Sequence, residues 1–340
     1  MSSGNGPAER VAVLGSGGWG TALAVHLGRL GKPVGLWGRD ASLVGEMSER
    51  RENRRHLAGV ALPPRVEPTT SLERALRGAR YVVAAVPSHG VREVLRRAAP
   101  AVPPGAIVVS AAKGIEEATL LRMSQVVEQE LGTARPVTVL SGPSFAAEVA
   151  RGAPTAVLVA GRSSDAVGAV QHEFRSGYFR LYASDDVIGV EVGAALKNVI
   201  AIAAGVVDGL GLGHNATAAL ITRGLAEISR LAYALGGRRD TLAGLSGLGD
   251  LVLTCTGALS RNRQVGLGLG SGRPLDDVLA GMSAVAEGVR TTGAALALGA
   301  RHEVELPIAA QMAEVLTGRR TPRAALDELM LRRQRSEAEP

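Results

Sequence analysis

The chain is poor in four things, and each scarcity narrows what it can be. It has one cysteine, Cys255, in 340 residues; this excludes an internal disulfide, argues against a dedicated zinc site and suits a reducing compartment. Aromatic residues make up 3% of the sequence, and the basic residues are scattered rather than gathered in a stripe. Without stacking rings or a basic face, the net charge of +6 and pI near 10.0 do not point to nucleic acid. A small anionic ligand accounts for the balance equally well. Long uncharged apolar runs are missing: the best candidate, residues 187–207, is interrupted by Glu191, Lys197 and Asn198 and falls short of a membrane span. The opening MSSGNGPAER has neither the apolar run nor the cleavage site of a signal peptide. The expectation is a soluble, cytosolic chain with no membrane insertion, frayed over its first ten residues and ending in a flexible tail, 331–340.

The fourth scarcity is lysine. Three lysines, Lys32, Lys113 and Lys197, stand against 35 arginines among the 38 basic residues. Arginine has replaced lysine almost wherever a generic positive charge suffices. A guanidinium keeps its proton near neutral pH whereas a desolvated ammonium can lose it, so the retained lysines are candidates for proton transfer. Lys32 sits in a Gly-Lys-Pro turn and is expected to be idle. Chance retention is the competing account of Lys113 and Lys197.

What is abundant is apolar residue, 46% against 21% charged, enough to bury a sizeable core in a chain long enough for two domains. The first half alternates helical stretches with short, continuously apolar runs: Val11–Leu14, Val34–Trp37, Tyr81–Val86, Ile107–Ser110, Val137–Leu140 and Thr155–Ala160. Uninterrupted apolar runs suit strands covered on both faces, hence a doubly wound parallel sheet. From about Asp185 the texture becomes helical, with helices expected near 186–208, 215–236, 274–281, 287–300 and 307–317, and a glycine-rich break over Gly205–Asn215. The expected organisation is a Rossmann-like α/β domain, 1–184, followed by an all-α domain, 185–330.

The run VAVLGSGGWGTALA places Gly15, Gly17 and Gly20 in G-x-G-x-x-G register after a strand and at a helix start. The first glycine permits the turn, the second lets backbone approach a pyrophosphate, and the helix N-terminus offers amides and a positive dipole end. The second strand ends in Arg39-Asp40. An acid there would bond a free ribose hydroxyl and an arginine a 2′-phosphate, so Arg39, coming first, favours NADP with NAD possible; the competing account is that Arg39 and Asp40 merely begin the next helix, with Asp40 as its N-cap. Lys113 follows the strand 107–110, and His89 follows another, after Pro-Ser, which is also an ordinary place to open a helix. Gly142-Pro143-Ser144 could present amides and a hydroxyl to an anion, or be a plain strand-helix turn.

Glu191–Gly205 is a helix so apolar that Lys197 must snorkel, pair with a carboxylate such as Asp250, or work as a proton donor and acceptor. Asp250 lies in a glycine-rich lead-in to an apolar stretch. Ser260-Arg261-Asn262-Arg263 suits bidentate recognition of a phosphate, although short basic runs are often solvated surface.

Together these segments resemble bacterial NAD(P)-dependent glycerol-3-phosphate dehydrogenase. GSGGWGTALA, VPSH, KGI, LSGPSFAAEVA, GAALKNVIAIAAGVVDGLGLGHN, GLGDLVLTCTG, SRNR and AEG occur in family order from Val11 to about residue 325. The resemblance implies cofactor contacts from Gly18, Trp19, Arg39, Lys113, Ala146, Arg261, Val285 and Glu287. It implies substrate contacts from Lys113, Gly142, Ser144, Lys197, Asp250, Ser260, Arg261 and Asn262, with Lys197 as the proton acceptor. The implied reaction interconverts dihydroxyacetone phosphate and sn-glycerol 3-phosphate, supplying phospholipid synthesis. Two departures stand out: His56 occupies a position often aromatic in the family, and Asp40 follows Arg39 where some relatives carry a second basic residue. The apolar second half suggests a homodimer. Two rivals remain: a dehydrogenase of a 3-hydroxy acid or imine, and a nucleotide-sensing regulatory protein.

Overall fold

The structure, a computed structural model, describes residues 9–282 and 286–333. Its strands are β1 (Arg10–Leu14), β2 (Val34–Trp37), β3 (Glu52–Asn53), β4 (Leu57–Ala61), β5 (Val66–Thr69), β6 (Ala79–Ala84), β7 (Ile107–Ser110), β8 (Val137–Ser141), β9 (Thr155–Gly161) and β10 (Phe179–Ser184). Eight form one sheet in the order β10-β9-β8-β7-β6-β1-β2-β5, and β3 and β4 make a separate hairpin. From β5 across to β8 all neighbours are parallel. This is the doubly wound arrangement, in which the strand order reverses between β1 and β6 and ligands lie beyond the carboxyl ends.

The apolar runs work as expected. Val11 and Val13 face one core while Ala12 and Leu14 face another on the opposite side of the sheet, and β6 divides in the same way. Both faces being covered by helices, the strand has no reason to alternate. Two strands escape this pattern. β5 lies at one edge and contains Glu67 and Pro68, and β10 lies at the other and alternates buried with exposed residues. A proline is tolerated at an edge because one side of the strand needs no ladder donor.

The sheet is not wholly parallel, because β9 runs antiparallel to β8. The connection between them carries one helix of six residues, Ala146–Arg151, about 9 Å long. That is too short to return the chain to the far end of the sheet, so β9 begins where β8 stops. Smaller differences follow from local geometry. β6 ends at Ala84 rather than Val86, because the chain bends through Pro87 into the helix Ser88–Ala98. β1 begins at Arg10, inside the expected frayed stretch. Lys32 is not idle: it is buried and pairs with Glu173.

Beyond β10 the chain is helical. The helix Val187–Gly209 is buried along nearly its whole length. Its length and mean hydropathy of 1.7 would suit a membrane span, but 89% of that window is buried in the protein. Around it pack Gly213–Ala234, Asp250–Thr256, Arg261–Gly270, Glu287–Arg301 and Pro307–Leu316. The expected break over Gly205–Asn215 shrinks to three residues, because Gly205 and Gly209 lie inside the helix. A Cβ on Gly205 would fall 2.0 Å from the Arg263 carbonyl oxygen, and one on Gly266 would fall 1.8 Å from that of Ile202. The two backbones therefore touch through paired glycines, which brings the start of Arg261–Gly270 against the lysine helix. The helices Asp250–Thr256, Arg261–Gly270 and Pro322–Met330 were not anticipated; glycine and polar residues interrupt their periodicity.

Candidate active site

Each glycine of the fingerprint has a separate mechanical task. Gly15 has φ +122°, and a Cβ there would sit 2.6 Å from the Ala85 carbonyl oxygen at the end of β6. A Cβ on Gly20 would lie 1.9 Å from the Gly15 carbonyl oxygen, so the helix can start this close to the strand only without side chains. Gly17 faces open space, with nothing within 4 Å of its Cβ position, and the helix Gly18–Arg29 behind it has no side-chain cap. Its first amides are therefore available to an anion. Beside them the indole Nε1 of Trp19 is buried without a partner among the described residues, and Ala146 opens its short helix alongside Gly18. These features fit a dinucleotide pyrophosphate.

Arg39, at the carboxyl end of β2, is exposed and makes no hydrogen bond among the described residues. Asp40 does serve as N-cap, accepting from the Leu43 amide at 3.1 Å, and it also pairs with Arg55 at 2.5 Å. His89 is exposed in the first turn of its helix. His56 is half-buried on the β3–β4 turn, its carbonyl oxygen 3.0 Å from the Gly18 Cβ position. Burial lowers the imidazole pKa, and the charges of Arg55 and Arg261 lower it further.

Beyond β7 and β8 lies the charged centre. Lys113 donates to Asp250 Oδ2 at 2.6 Å and to the Gly142 carbonyl at 3.2 Å, and the Ser144 hydroxyl donates to the same carbonyl at 2.9 Å. From the opposite side Lys197 donates to Asp250 Oδ1 at 2.6 Å and to Thr254 Oγ1 at 2.8 Å. Thr254 in turn donates to the Asp250 carbonyl at 2.6 Å, which fixes its hydroxyl. One carboxylate thus holds two ammonium groups, one from each half of the chain. The Asp250 and Lys197 side chains are 2% and 6% exposed and that of Lys113 is 19% exposed, so the approach from solvent is past Lys113.

Burial drives the Lys197 ammonium down to about 8; Asp250 opposes the shift and Lys113 adds to it. Burial also works to raise the Asp250 carboxyl, but the two lysines outweigh it and hold it below its ordinary value. Among the described residues Lys197 has two acceptors for three protons. The third can go to a reacting oxygen. Nearby, burial pushes the Cys255 thiol up to about 12, which leaves it inert as a nucleophile.

The SRNR segment divides its labour. Arg263 is committed to Asp208, Nε to Oδ2 at 2.8 Å. The Ser260 hydroxyl caps the helix by accepting from the Arg263 amide. Asn262 donates to Asn198 Oδ1 and accepts from the Gly288 amide, both at 2.9 Å. Only Arg261 of the four is exposed and without a hydrogen bond among the described residues. Glu287 reaches across to the sheet half, accepting from the Ser88 hydroxyl at 2.5 Å and the Ser88 amide at 3.2 Å. Val285 lies outside the described residues. Thr254 and Asn198 escaped sequence reasoning as site residues; Thr254 sits one turn after Asp250, a signal readable only once that segment is known to be helical.

A glycine-turn sheet domain and a helical domain that close on a buried, proton-competent lysine define the class of two-domain nicotinamide-dependent dehydrogenases. Models described as the N-terminus and C-terminus of NAD-dependent glycerol-3-phosphate dehydrogenase match residues 10–167 and 186–327. The chain is 54% identical to the NAD(P)+ glycerol-3-phosphate dehydrogenase of Acidobacterium capsulatum over 337 residues, spanning 97% of this chain and 100% of the relative. It is 52% identical to that of Koribacter versatilis, spanning 95% and 97%. The solved glycerol-3-phosphate dehydrogenase of Coxiella burnetii matches with a TM-score of 0.92 at 40% identity, over 96% of this chain and 99% of that one. A ketopantoate reductase of Ralstonia eutropha shares the fold alone, with a TM-score of 0.59 at 16% identity over 94% and 99%. The chain belongs to the NAD-dependent glycerol-3-phosphate dehydrogenase family.

Proposed function

We propose that this chain interconverts dihydroxyacetone phosphate and sn-glycerol 3-phosphate with NAD(P)(H). The carrying observation is Lys197, buried, held by Asp250 and Thr254 with one proton to spare and poised near 8. A bound NAD(P)H supplies hydride to the carbonyl carbon. Lys197 gives its spare proton to the carbonyl oxygen during reduction and takes it back during oxidation. Lys113 places a second positive charge beside the oxygen on which negative charge develops, while Asp250 keeps both ammonium groups in position. Arg261, the free guanidinium of its segment, takes the phosphate, with the first amides of Arg261–Gly270 behind it; Ser260 and Asn262 shape that turn through the cap and the amide network. The Gly142 carbonyl accepts from Lys113 on the far side, and the Ser144 hydroxyl donates to that same carbonyl. Binding energy at the phosphate then orients the carbonyl carbon.

Gly15, Gly17, Gly18 and Trp19 form the pyrophosphate turn with Ala146 alongside, and Glu287 borders the nicotinamide end. Arg39 favours NADP over NAD, because its guanidinium is free while Asp40 is already committed. The proposal extends to a division into domains at 184/185, a cytoplasmic homodimer and a role in supplying phospholipid precursor. An apolar groove of about 530 Å³ on the helical half, bordered by Leu212, Leu220, Leu326 and Leu329, supports the dimer. Following NADPH absorbance with dihydroxyacetone phosphate, and separately with unphosphorylated dihydroxyacetone, tests the activity. Oxidation should require the phosphorylated substrate. Equal rates with both would overturn the assignment of Arg261, and no oxidation of either NADPH or NADH with either substrate would overturn the reaction.

A further inference from the structure

The rim where the cofactor's adenosine ribose would lie carries a second arginine that is far from Arg39 in sequence. β2 ends at Trp37, and a Cβ on the following Gly38 would fall 2.3 Å from Ser16 Oγ, so the strand end is locked against the glycine turn. Arg39 and Asp40 therefore stand where this fold reads the ribose. An acid at that place ordinarily accepts from the 2′- and 3′-hydroxyls. Here both carboxylate oxygens of Asp40 are taken: Oδ1 accepts from the Leu43 amide at the start of Ala41–Arg50, and Oδ2 accepts from Arg55 Nη1 at 2.5 Å.

Arg55 reaches this place on a fixed support. It sits on the turn between β3 and β4, which Asn53, fully buried, ties to the cofactor-binding turn. Asn53 Nδ2 donates to the Ser16 carbonyl and to Thr21 Oγ1, each at 2.8 Å, and Asn53 Oδ1 accepts from the His56 amide at 3.2 Å. The hairpin is therefore tied to the glycine turn through a buried side chain. Both Arg39 and Arg55 are exposed, so the rim presents two guanidinium groups against one carboxylate that is already engaged.

We infer that Arg55 is a second specificity residue for the 2′-phosphate of NADP(H), supplying across space the partner guanidinium that Arg39 lacks beside it in sequence. A phosphate dianion gains a charge-assisted hydrogen bond from Arg55, and a free hydroxyl gains much less. The inference rests on the NADP preference proposed for Arg39.

The test compares the full-length enzyme with Arg55→Ala in two ratios. One is the affinity for adenosine 2′,5′-bisphosphate over that for 5′-AMP, read calorimetrically. The other is kcat/KM with NADPH over that with NADH. Loss of one charge-assisted bond should lower both ratios about tenfold, and Arg55→Lys, which keeps the charge, should recover part of the loss. Ratios within twofold of the unaltered enzyme, whether or not absolute affinities fall, would overturn the inference and leave Arg55 a prop for the hairpin. A preference for NADH in the unaltered enzyme would instead overturn the reading of Arg39, because the Arg55 ratios are judged against whatever preference the unaltered enzyme has.

Discussion

Two buried ionic centres sit six residues apart on the same apolar helix, and they are built differently. At Glu191 both oxygens are held by protein donors: Oε1 takes the Ser124 amide at 2.7 Å, and Oε2 takes Arg122 Nη1 at 2.5 Å and the Ser124 hydroxyl at 2.6 Å. At Lys197 the carboxylate is shared with a second cation, a proton is left over, and the ammonium is pushed to about 8. Both join the sheet half to the helical half. A closed centre, with all its partners supplied by protein, acts as a joint. An open one, overloaded with charge of one sign, is what the proposed proton transfer requires. Burial alone did not separate them, since Glu191 and Lys197 are 4% and 5% exposed.

The largest test of this contrast is Lys197→Arg. A guanidinium keeps its proton and cannot cycle it, so turnover should fall by about a thousandfold or more, while NADPH still binds. Activity within tenfold of the unaltered enzyme would remove Lys197 from proton transfer. Glu191→Ala should behave oppositely. Leaving Arg122 buried without its partner costs about 3–5 kcal/mol, so the unfolding midpoint should drop in thermal denaturation while turnover per folded molecule is kept. An unchanged midpoint would contradict its role as a joint. Next in size is Arg261→Ala. Losing a charge-assisted bond to phosphate should raise KM for dihydroxyacetone phosphate roughly ten- to a hundredfold, with a smaller change in kcat. A KM unchanged within twofold would shift the phosphate elsewhere.

Much of this was legible before the structure, and the illegible parts have physical reasons. The central strands announce themselves because both faces are buried, whereas the edge strands β5 and β10, half exposed, carry no such run. The lysine helix is recognisable from its apolar length. Its glycines mislead: Gly205 looks like a breaker but is a contact surface for another backbone, a role that appears only with the partner helix in place. At the site, scarcity of lysine singled out Lys113 and Lys197, while their common carboxylate is a tertiary fact, brought from 137 and 53 residues away. Thr254 is legible only once its segment is known to be helical, and Arg55 is one arginine among many until its bond to Asp40 is in place.

The smallest and most discriminating effect is the pH dependence. In reduction Lys197 must carry its proton, so the rate should fall as pH rises through about 8; in oxidation it must be without the proton, so the rate should rise through the same pH. The limbs should mirror each other, each moving about tenfold per pH unit on its falling side. Folding gives an independent reading with its own sign. A lysine lowered in the native state holds fewer protons than in the unfolded chain between about 8 and the ordinary 10.5, so its contribution to stability improves as pH rises through that window. Replacing Lys197 by Met should remove that slope from the pH dependence of urea unfolding. Glu191→Gln should alter the stability and leave both kinetic limbs at the same pH. Should Glu191→Gln displace the limbs by as much as a pH unit, the two centres would be one coupled network and the division into joint and working site would fail.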